Sequence, residues 1–265
     1  MEITGFVLAF FIGMLMGLIG AGGSILTSAL LIYIFGISPI LSVSYTMITV
    51  CIISLAGSIQ YYKRGLVDLK TGLIVGIPAL ITVYIMRKFV MPAIPKIIFR
   101  YHHFIFTKSL LITLIFAVLM IVISYSMIYS PKQVLEKKEE PVNPLVLYAL
   151  GIAVAILTGF AGVGGGFIIL PALVFFANMD VKKAVGTSLF IITINTTVGF
   201  LGDFSTGLSY NWNFLLKYIG ITLAGMILSN QFSKKTNGSV LKKIFGLAIL
   251  IIGCWIIVEE LFVKI

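Results

Sequence analysis

The chain has 265 residues, of which 60% are hydrophobic and only 11% are charged. Soluble domains are about half apolar and about a quarter charged, so this composition excludes a water-soluble globular protein and predicts membrane-spanning segments. The net charge of +10 does not indicate nucleic-acid binding, because the lysines and arginines occur in short connections between apolar runs, where the positive-inside rule already places them.

Apolar runs predict a first set of membrane segments, in chain order, at 3–19, 24–36, 40–62, 71–90 and 109–130. A second set is predicted at 145–161, 166–179, 183–204, 214–231 and 240–262. The first run has no basic residue before it and no cleavage pattern after it, so we interpret it as a membrane segment and not as a signal peptide. The polar stretch at 92–109, which includes His102 and His103, is expected to be an interfacial or gating loop.

The most charged stretch of the chain lies between the two sets, from Ser130 to Pro144. Its bounding prolines and its charges predict a solvated linker. We therefore expect an all-α polytopic membrane protein with about 8–10 hydrophobic segments. The predicted divisions are a first transmembrane repeat at 1–130, a linker at 131–144 and a second transmembrane repeat at 145–265.

The glycines indicate that the two halves are copies of one another. Those of the first half are Gly17, Gly20, Gly22 and Gly23, and they recur at one constant offset as Gly159, Gly162, Gly164 and Gly165. The same register continues without a gap, so that Leu31 falls on Leu173, Thr46 on Ser188 and Gly57 on Gly199. Internal repeats of this kind are typical of secondary transporters, whose substrate site lies where the repeats meet.

The piece that follows each glycine run is too short to cross a membrane. The segment at 24–36 has 13 residues, which is about 20 Å of helix. We therefore expect broken or re-entrant first helices in both halves, with irregular backbone that lines a cavity.

The basic residues of the loops indicate the topology. If each broken pair returns to its own side of the membrane, twelve basic loop residues share one face and six share the other. This division favours inverted halves with both termini away from the cytoplasm.

The glycine runs are the first candidate binding site. A helix that starts directly after glycine presents free N–H groups and a positive dipole end, and both favour an anion. The residues expected to form this site are Gly22, Gly23 and Ser24 in the first half and Gly164, Gly165 and Gly166 in the second. The alternative interpretation is that the glycines only permit tight helix packing.

Polar side chains within the third segment of each half are the second candidate. They are Thr46 in the first half and Thr187, Ser188 and Asn195 in the second. Spacings of 188, 195, 199 and 202 fall on one helical face, so a hydroxyl and a carboxamide there could donate to an oxyanion. The alternative for the hydroxyls is a hydrogen bond to their own helix backbone. Asn195 favours a cavity, because an unpartnered amide is costly in hydrocarbon.

Ionisable groups near the membrane centre are scarce. Of nine carboxylates, only Asp203 is a candidate relay, and its alternative is a helix-end residue that faces water. Lys217 is a candidate counter-charge, with snorkelling to the interface as the alternative. Cys51 and Cys254 lie in apolar runs and predict neither a disulfide nor a metal site. No catalytic or nucleotide-binding motif is present, so we expect no enzyme activity, no metal and no cofactor.

The runs GLIGAGGSILTSALLIYIFG and GFAGVGGGFIILPALVFF, with the small polar stretches LSVSYTMI and KAVGTSLFIITIN, resemble the sulfite exporter TauE/SafE family, also called the toluene sulfonate uptake permeases. The resemblance covers nearly the whole chain and is closer in the second half. Ser24 and Ala29 depart from the family pattern in the first half. The resemblance implies a permease for small organosulfur or sulfur oxyanions, such as sulfite, sulfonates or sulfoacetate, in the inner membrane.

Together these features predict an alternating-access carrier of a small anion, embedded in the bilayer, without nucleic acid and with a homodimer as the prior expectation. Three alternatives stay open. The protein could be an anion channel, a carrier of a neutral or cationic sulfur metabolite, or a membrane receptor or assembly factor without transport. The sequence leaves the substrate, the direction of transport and its coupling undecided.

Overall fold

The computed structural model describes residues 2–19, 23–90, 93–95, 97–101, 104–107, 143–161, 166–204 and 208–233, with isolated positions between 110 and 125 and between 247 and 258. The first half contains α1 (Glu2–Ile19), α2 (Gly23–Tyr33), α3 (Pro39–Tyr62) and α4 (Leu69–Ile85). The second half contains α5 (Pro144–Ala161), α6 (Gly166–Phe176), α7 (Val181–Phe204) and α8 (Trp212–Ser233). The described positions within the predicted segments 109–130 and 240–262 are helical as well.

Side-chain caps define where three of the long helices begin. At the start of α4, Asp68 accepts hydrogen bonds from the backbone N–H of Thr71 at 3.1 Å and from its hydroxyl at 3.0 Å. The side-chain oxygen of Asn211 accepts the Phe214 N–H at 3.2 Å at the start of α8, and Asp180 does the same for the first turn of α7. Such caps satisfy N–H groups that have no partner within the helix.

The polar stretch after α4 differs from its prediction. After a π-helical turn at Met86–Val90, β1 (Ile97–Tyr101) pairs antiparallel with β2 (Phe104–Thr107). The rings of Phe99 and Phe106 stack across the pair with centroids 4.9 Å apart, a contact that stabilises a hairpin. The prediction of a loop is therefore wrong for these residues, because β-branched and aromatic side chains favour strands over irregular backbone.

The described helices are long enough to identify several membrane spans. By length and composition, four helices in the described ranges could cross a membrane: Ile40–Tyr62, Leu69–Val90, Lys182–Phe204 and Trp212–Ser229. The helices Ile3–Gly17 and Pro144–Gly159 are apolar but shorter. The prediction of an all-α polytopic membrane protein is thus confirmed, apart from the small hairpin.

The first and third helices of the two halves have corresponding bounds, and the turns after the second helices match. The offset between α1 and α5 is the same as that between α3 and α7, and it is the offset of the glycine repeat. The chain takes a left-handed backbone conformation after α2 at Gly36 (φ 65°) and after α6 at Asn178 (φ 49°), a conformation that glycine and asparagine adopt most readily. The next N–H then bonds back to the helix in both turns: Ile37 to the carbonyl of Leu31 (3.0 Å) and Met179 to that of Leu173 (3.3 Å).

The halves are interleaved in their packing. The first helix of each half packs on the fourth helix of the other, so α1 contacts α8 and α5 contacts α4, while α3 packs directly on α7. Gly57 of α3 lies against Leu189 of α7, and Gly199 of α7 lies against Met47 of α3. Because residue numbers rise along one helix and fall along the other, α3 and α7 run antiparallel.

Glycines permit the closest of these helix contacts. A Cβ at Gly13 of α1 would overlap the backbone of Thr222 in α8, and a Cβ at Gly151 of α5 would overlap the Val75 carbonyl in α4. Gly17 and Gly159, which begin the repeated glycine pattern, likewise face α8 and the π-helical turn that follows α4. At these two positions the packing interpretation is confirmed, since small residues let membrane helices approach each other.

The α1–α2 pair returns to the end of the molecule where it started. Gly5, near the beginning of α1, lies against the ring of Phe35, which directly follows α2, and the rings of Phe6 and Phe35 are 5.3 Å apart. α2 has 11 residues, or about 16 Å of helix. This geometry is that of a re-entrant pair, although residues 20–22 between the two helices lie outside the described part of the chain.

The two ends of the α3–α7 pair differ in composition. One end, which we call the aromatic end, contains Phe35, Tyr45, Tyr210 and Phe214, whose rings lie within about 6 Å of a neighbour. The opposite end, which we call the basic end, contains Lys63, Arg64, Lys70, Lys182 and Lys183. The connection at 34–38 and the described residues 208–211, which are at the aromatic end, have no lysine or arginine in the sequence.

Candidate functional site

Hydroxyl and thiol groups line the contact between α3 and α7. Thr193 donates to the Ser54 hydroxyl at 3.0 Å, and the Cys51 thiol lies 3.1 Å from the Thr197 hydroxyl. These groups therefore satisfy one another across the helix pair. Polar atoms in this region that lack such a partner stand out as candidates for binding a ligand.

Two buried oxygen atoms on α3 and α7 have no such partner. Thr46 is fully buried and Asn195 is 3% exposed. Among the described residues, no donor or acceptor lies within hydrogen-bond distance of Thr46 Oγ1 or Asn195 Oδ1. A buried polar atom without a partner costs about 1–3 kcal/mol. Both residues belong to the sequence-predicted site, so the structure gives them a physical reason to bind something else.

Thr46 lies on the face of α3 that is turned toward α2. One turn earlier on that face, the Ser42 hydroxyl donates to the backbone carbonyl of Ser28 in α2 at 3.1 Å. α2 and α3 are joined by a short turn and form an antiparallel pair. One turn toward the C-terminus of α3, from Ser42 to Thr46, therefore corresponds to one turn toward the N-terminus of α2 from Ser28. Thr46 is therefore level with the first turn of α2, where helix N–H groups are free.

Asn195 lies near the middle of the α3–α7 pair. It follows Thr193, whose contact with Ser54 fixes the register of the two helices. Its counterpart in the first half is Ile53, which is fully buried. Ile53 and Asn195 are thus equivalent positions of the repeat, and both lie near the centre of the α3–α7 contact. Only Asn195 has a polar side chain.

The other two hydroxyls of the predicted set already have partners. Ser188 donates to the Val185 carbonyl of its own helix at 2.8 Å, as the alternative interpretation expected. Thr187 Oγ1 accepts the backbone N–H of Asp68 at 2.9 Å. Tyr45 has the matching role in the other half, since its hydroxyl accepts the N–H of Asn211 at 2.7 Å. Thr187 and Tyr45 therefore hold the start of a fourth helix from the opposite half.

The glycine runs are described only in part. Gly23 and Gly166 are the first residues of α2 and α6, and Ser24 is the second residue of α2, so helices begin where the sequence predicts them. Gly22, Gly164 and Gly165 lie outside the described residues. Helices α2 and α6 pack against each other, which brings the two broken pairs together.

Asp203 and Lys217 lie near helix ends. Asp203 is half-buried, one residue before the end of α7, and Lys217 is exposed in the second turn of α8. Desolvation raises the pKa of the nearby Tyr210 phenol, and the Asp203 charge acts in the same direction, while a hydrogen bond with Ser44 opposes them. Among the described residues, neither charged group forms a hydrogen bond with Thr46 Oγ1 or Asn195 Oδ1, and the proposed functional roles of Asp203 and Lys217 stay predictions.

Within the described ranges, no three histidine, cysteine, aspartate or glutamate side chains lie together as a metal site would require. His102 and His103 are outside those ranges.

The sequence analysis missed polar residues around α2. Thr27, Ser28 and Ser42 are buried, and the hydroxyl of the fully buried Tyr218 in α8 lies beside Thr27. The sequence could have identified these residues as candidates, since each has a polar side chain within an apolar run. Their proximity, however, depends on contacts between α2, α3 and α8 that are distant in sequence.

Comparison with known proteins agrees with this architecture. The family model described as "Sulfite exporter TauE/SafE" matches residues 5–256. A probable membrane transporter protein of Xylella fastidiosa is 28% identical over 93% of this chain and 91% of its own length. The probable membrane transporter protein YunE of Bacillus subtilis is 25% identical over 97% of this chain and 99% of its own. No solved structure gives a significant match.

A relative from an archaeon, the probable membrane transporter protein MJ0441 of Methanocaldococcus jannaschii, is 25% identical over 89% of this chain and 86% of its own length. The family match spans nearly the whole chain, and the described helices include four that could cross a membrane. The chain therefore belongs to the sulfite exporter TauE/SafE family and is a multi-pass membrane transporter.

Proposed function

We propose that this transporter moves a small sulfur oxyanion or organosulfur anion across the inner membrane by alternating access, with the anion held where the broken first helices meet α3 and α7. One observation supports this assignment most strongly. Thr46 buries a hydroxyl without a partner in the middle of an apolar bundle, which a protein tolerates where a ligand accepts the missing hydrogen bond.

The chemistry of the site suits an anion. The first turn of α2 offers backbone N–H groups and the positive end of the helix dipole. The Thr46 hydroxyl adds a donor at the same level, and the Asn195 carboxamide has both donor and acceptor capacity. None of these groups is ionised, so the site holds a small anion without a strong ion pair. Weak binding of this kind is compatible with release on the other side.

The antiparallel course of α3 and α7 supports inverted halves. Equivalent helices that run in opposite directions are related by a two-fold axis perpendicular to them, which lies in the membrane plane if the helices cross the bilayer. The interleaved packing of α1 on α8 and of α5 on α4 fits the same relation. In such a protein, one half can rock against the other around a central site.

Charge supports an orientation for the molecule. The basic end, defined by Lys63, Arg64, Lys70, Lys182 and Lys183, is assigned to the cytoplasm by the positive-inside rule. The aromatic end, where α1 begins, then faces outward. This assignment agrees with the loop-charge division in the sequence and puts the N-terminus away from the cytoplasm.

The sulfur chemistry of the substrate rests on the family description, sulfite exporter, and on the anion-binding features of the site. A homodimer in the bilayer, without nucleic acid, stays the expectation for partners. No described feature favours proton coupling over diffusion down the anion gradient.

Counterflow in proteoliposomes tests the proposal. Vesicles that contain the purified protein are loaded with unlabelled sulfite or a sulfonate, and uptake of the radiolabelled anion is measured from outside. A carrier accelerates uptake when the inside is loaded, and empty liposomes provide the control. Flux without acceleration indicates a channel, and no flux contradicts transport of these anions.

A further inference from the structure

The β1–β2 hairpin is joined to a membrane segment at each end. Before it, α4 and its π-helical turn form a candidate span at Leu69–Val90. After it, the hydroxyl of Thr107, the last residue of β2, accepts the backbone N–H of Leu110 at 3.2 Å. Thr107 thus caps a helix that begins within the predicted segment 109–130. Because both neighbours are membrane segments, the hairpin is confined to the region beside the bilayer surface.

The course of α4 places the hairpin at the aromatic end of the molecule. Asp68, at the start of α4, is bonded to Thr187 near the beginning of α7. Two turns later on α4, Gly76 faces Ile191, which is one turn later on α7. The two helices therefore run parallel, and both begin at the basic end. The hairpin, which follows the other end of α4, lies at the aromatic end.

Side chains at the end of α4 have the character of a membrane–water interface. Lys88 donates to the Tyr84 hydroxyl at 2.7 Å, and its ammonium group lies over the rings of Tyr84 and Phe89. All three side chains are exposed. Tyrosine and lysine are favoured at this level of a bilayer, because each has an apolar body and a polar tip. The bilayer surface is therefore close to residues 84–89, a few residues before β1.

One face of the hairpin is aromatic. Side chains alternate between the two faces along each strand, so two of the cross-strand pairs share one face and the pair between them lies on the other. The pairs on the first face are Phe99 with Phe106 and Tyr101 with Phe104, and the pair on the second is Arg100 with Ile105. We call the first the aromatic face.

The described protein leaves much of the hairpin uncovered. Phe99 is 50% exposed and Ile97 is 49% exposed. In the described part of the chain, no helix has an extensive contact with either strand. Exposed aromatic clusters mark interaction surfaces, and beside a bilayer such rings favour the interface with lipid.

The segment around the hairpin is strongly basic. Residues 87–108 contain five basic residues, and no aspartate or glutamate occurs between residues 69 and 135. The five are Arg87, Lys88, Lys96, Arg100 and Lys108. The positive-inside rule does not account for them, since it assigns the opposite end of the molecule to the cytoplasm. Anionic phospholipids provide the complementary charge, because their headgroups attract lysine and arginine beside a membrane segment.

We propose that the hairpin lies in the headgroup layer at the aromatic end, with its aromatic face toward the acyl chains and the basic residues of 87–108 on the phosphates of anionic phospholipids. The partner is a lipid surface. The hairpin anchors the connection between α4 and the next membrane segment, and it gives the transporter a local preference for anionic lipid. No step of this inference uses the transported substrate, so it is independent of the proposed anion transport.

Tryptophan fluorescence of the full chain in nanodiscs tests the placement of the aromatic face. In a background with Trp212→Phe and Trp255→Phe, the reporter is Phe106→Trp, and the matched control is Ile105→Trp, its neighbour on the opposite face. Phospholipids brominated on the acyl chains should quench Phe106→Trp strongly, and aqueous iodide should quench it weakly. Ile105→Trp should show the reverse. Phe99→Trp is a second reporter of the aromatic face if Phe106→Trp does not fold.

Mixed bilayers test the charge of the lipid partner. Nanodiscs contain phosphatidylcholine and phosphatidylglycerol, and only one of the two carries bromine. Quenching of Phe99→Trp should be stronger when phosphatidylglycerol is brominated. Arg100→Gln should reduce this preference by up to about five-fold, the contribution of one basic residue near a lipid surface. Lys182→Gln, which removes a charge at the basic end, should leave it unchanged.

Three results would overturn the inference. Quenching of Phe106→Trp and Phe99→Trp by iodide and not by brominated lipid would place the hairpin in water. Protection from both quenchers would show that protein covers the aromatic face, as in contact with a second copy of the chain. Equal quenching by the two brominated lipids would contradict an anionic lipid partner.

Discussion

Thr46 and Thr187 are both fully buried threonines on the central helices, yet their hydroxyls have different surroundings. Thr187 accepts the backbone N–H of Asp68 and so joins α7 to the start of α4. Thr46 has no partner among the described residues. The sequence predicted both as ligand-binding residues, and it could not separate them, because the difference depends on which backbone N–H the fold brings to each hydroxyl.

Valine at these two positions should have opposite effects on the ligand-free protein. Thr46→Val removes an unsatisfied polar group and is expected to leave the melting temperature unchanged or raise it. Thr187→Val leaves the Asp68 N–H without an acceptor and should cost about 1–2 kcal/mol of stability. Thermal unfolding in detergent measures both variants, and a clear destabilisation by Thr46→Val would show that its hydroxyl has a structural role.

The helix bounds were largely predictable from hydropathy. The predicted segments 3–19, 40–62 and 145–161 differ from α1, α3 and α5 by one residue at most at each end, because apolar runs end at clear polar or capping residues. The β-hairpin at Ile97–Thr107 was missed. The preceding Pro92 and Pro95 and the charged Lys96 and Arg100 obscured a short strand pattern that becomes stable only when both strands pair.

Helix contacts through glycine make a further prediction. Gly13→Ala should destabilise the protein, because the added Cβ would overlap the Thr222 backbone in α8. Gly220→Ala, on α8 itself, meets nothing within 4 Å and should stabilise its helix by about 1 kcal/mol. Melting temperatures of the two variants are compared with the wild type, and similar shifts in the same direction would contradict the described α1–α8 packing.

At the scale of the whole molecule, the two halves repeat one sequence pattern, but their equivalent helices α3 and α7 run in opposite directions. The repeat itself could be read from glycines that recur at one constant spacing. The antiparallel packing of α3 on α7, in contrast, appears only when contacts such as Gly57 with Leu189 are known. Loop charge alone gave a weak preference for inverted halves, because a topology in which each broken pair crosses the membrane once divides the basic residues almost as unequally, eleven to seven.

Cysteine labelling in cells tests the orientation. In a background with Cys51→Ser and Cys254→Ser, single cysteines at Lys63 and Ser38 lie at the basic and aromatic ends, and both positions are exposed. A membrane-impermeant maleimide should label Ser38→Cys in intact cells and Lys63→Cys only after the membrane is opened. Labelling of both positions in intact cells, or the reverse order, would contradict the assigned orientation.

The most direct test of the central site is the melting temperature of the purified transporter with and without small anions, in the wild type and in Asn195→Leu. Binding to the folded state raises the melting temperature by mass action. We expect a sulfonate or sulfite to stabilise the wild type and to lose this effect in Asn195→Leu, whose ligand-free stability should be at least that of the wild type. An equal ligand-induced shift in both proteins would show that the anion binds elsewhere.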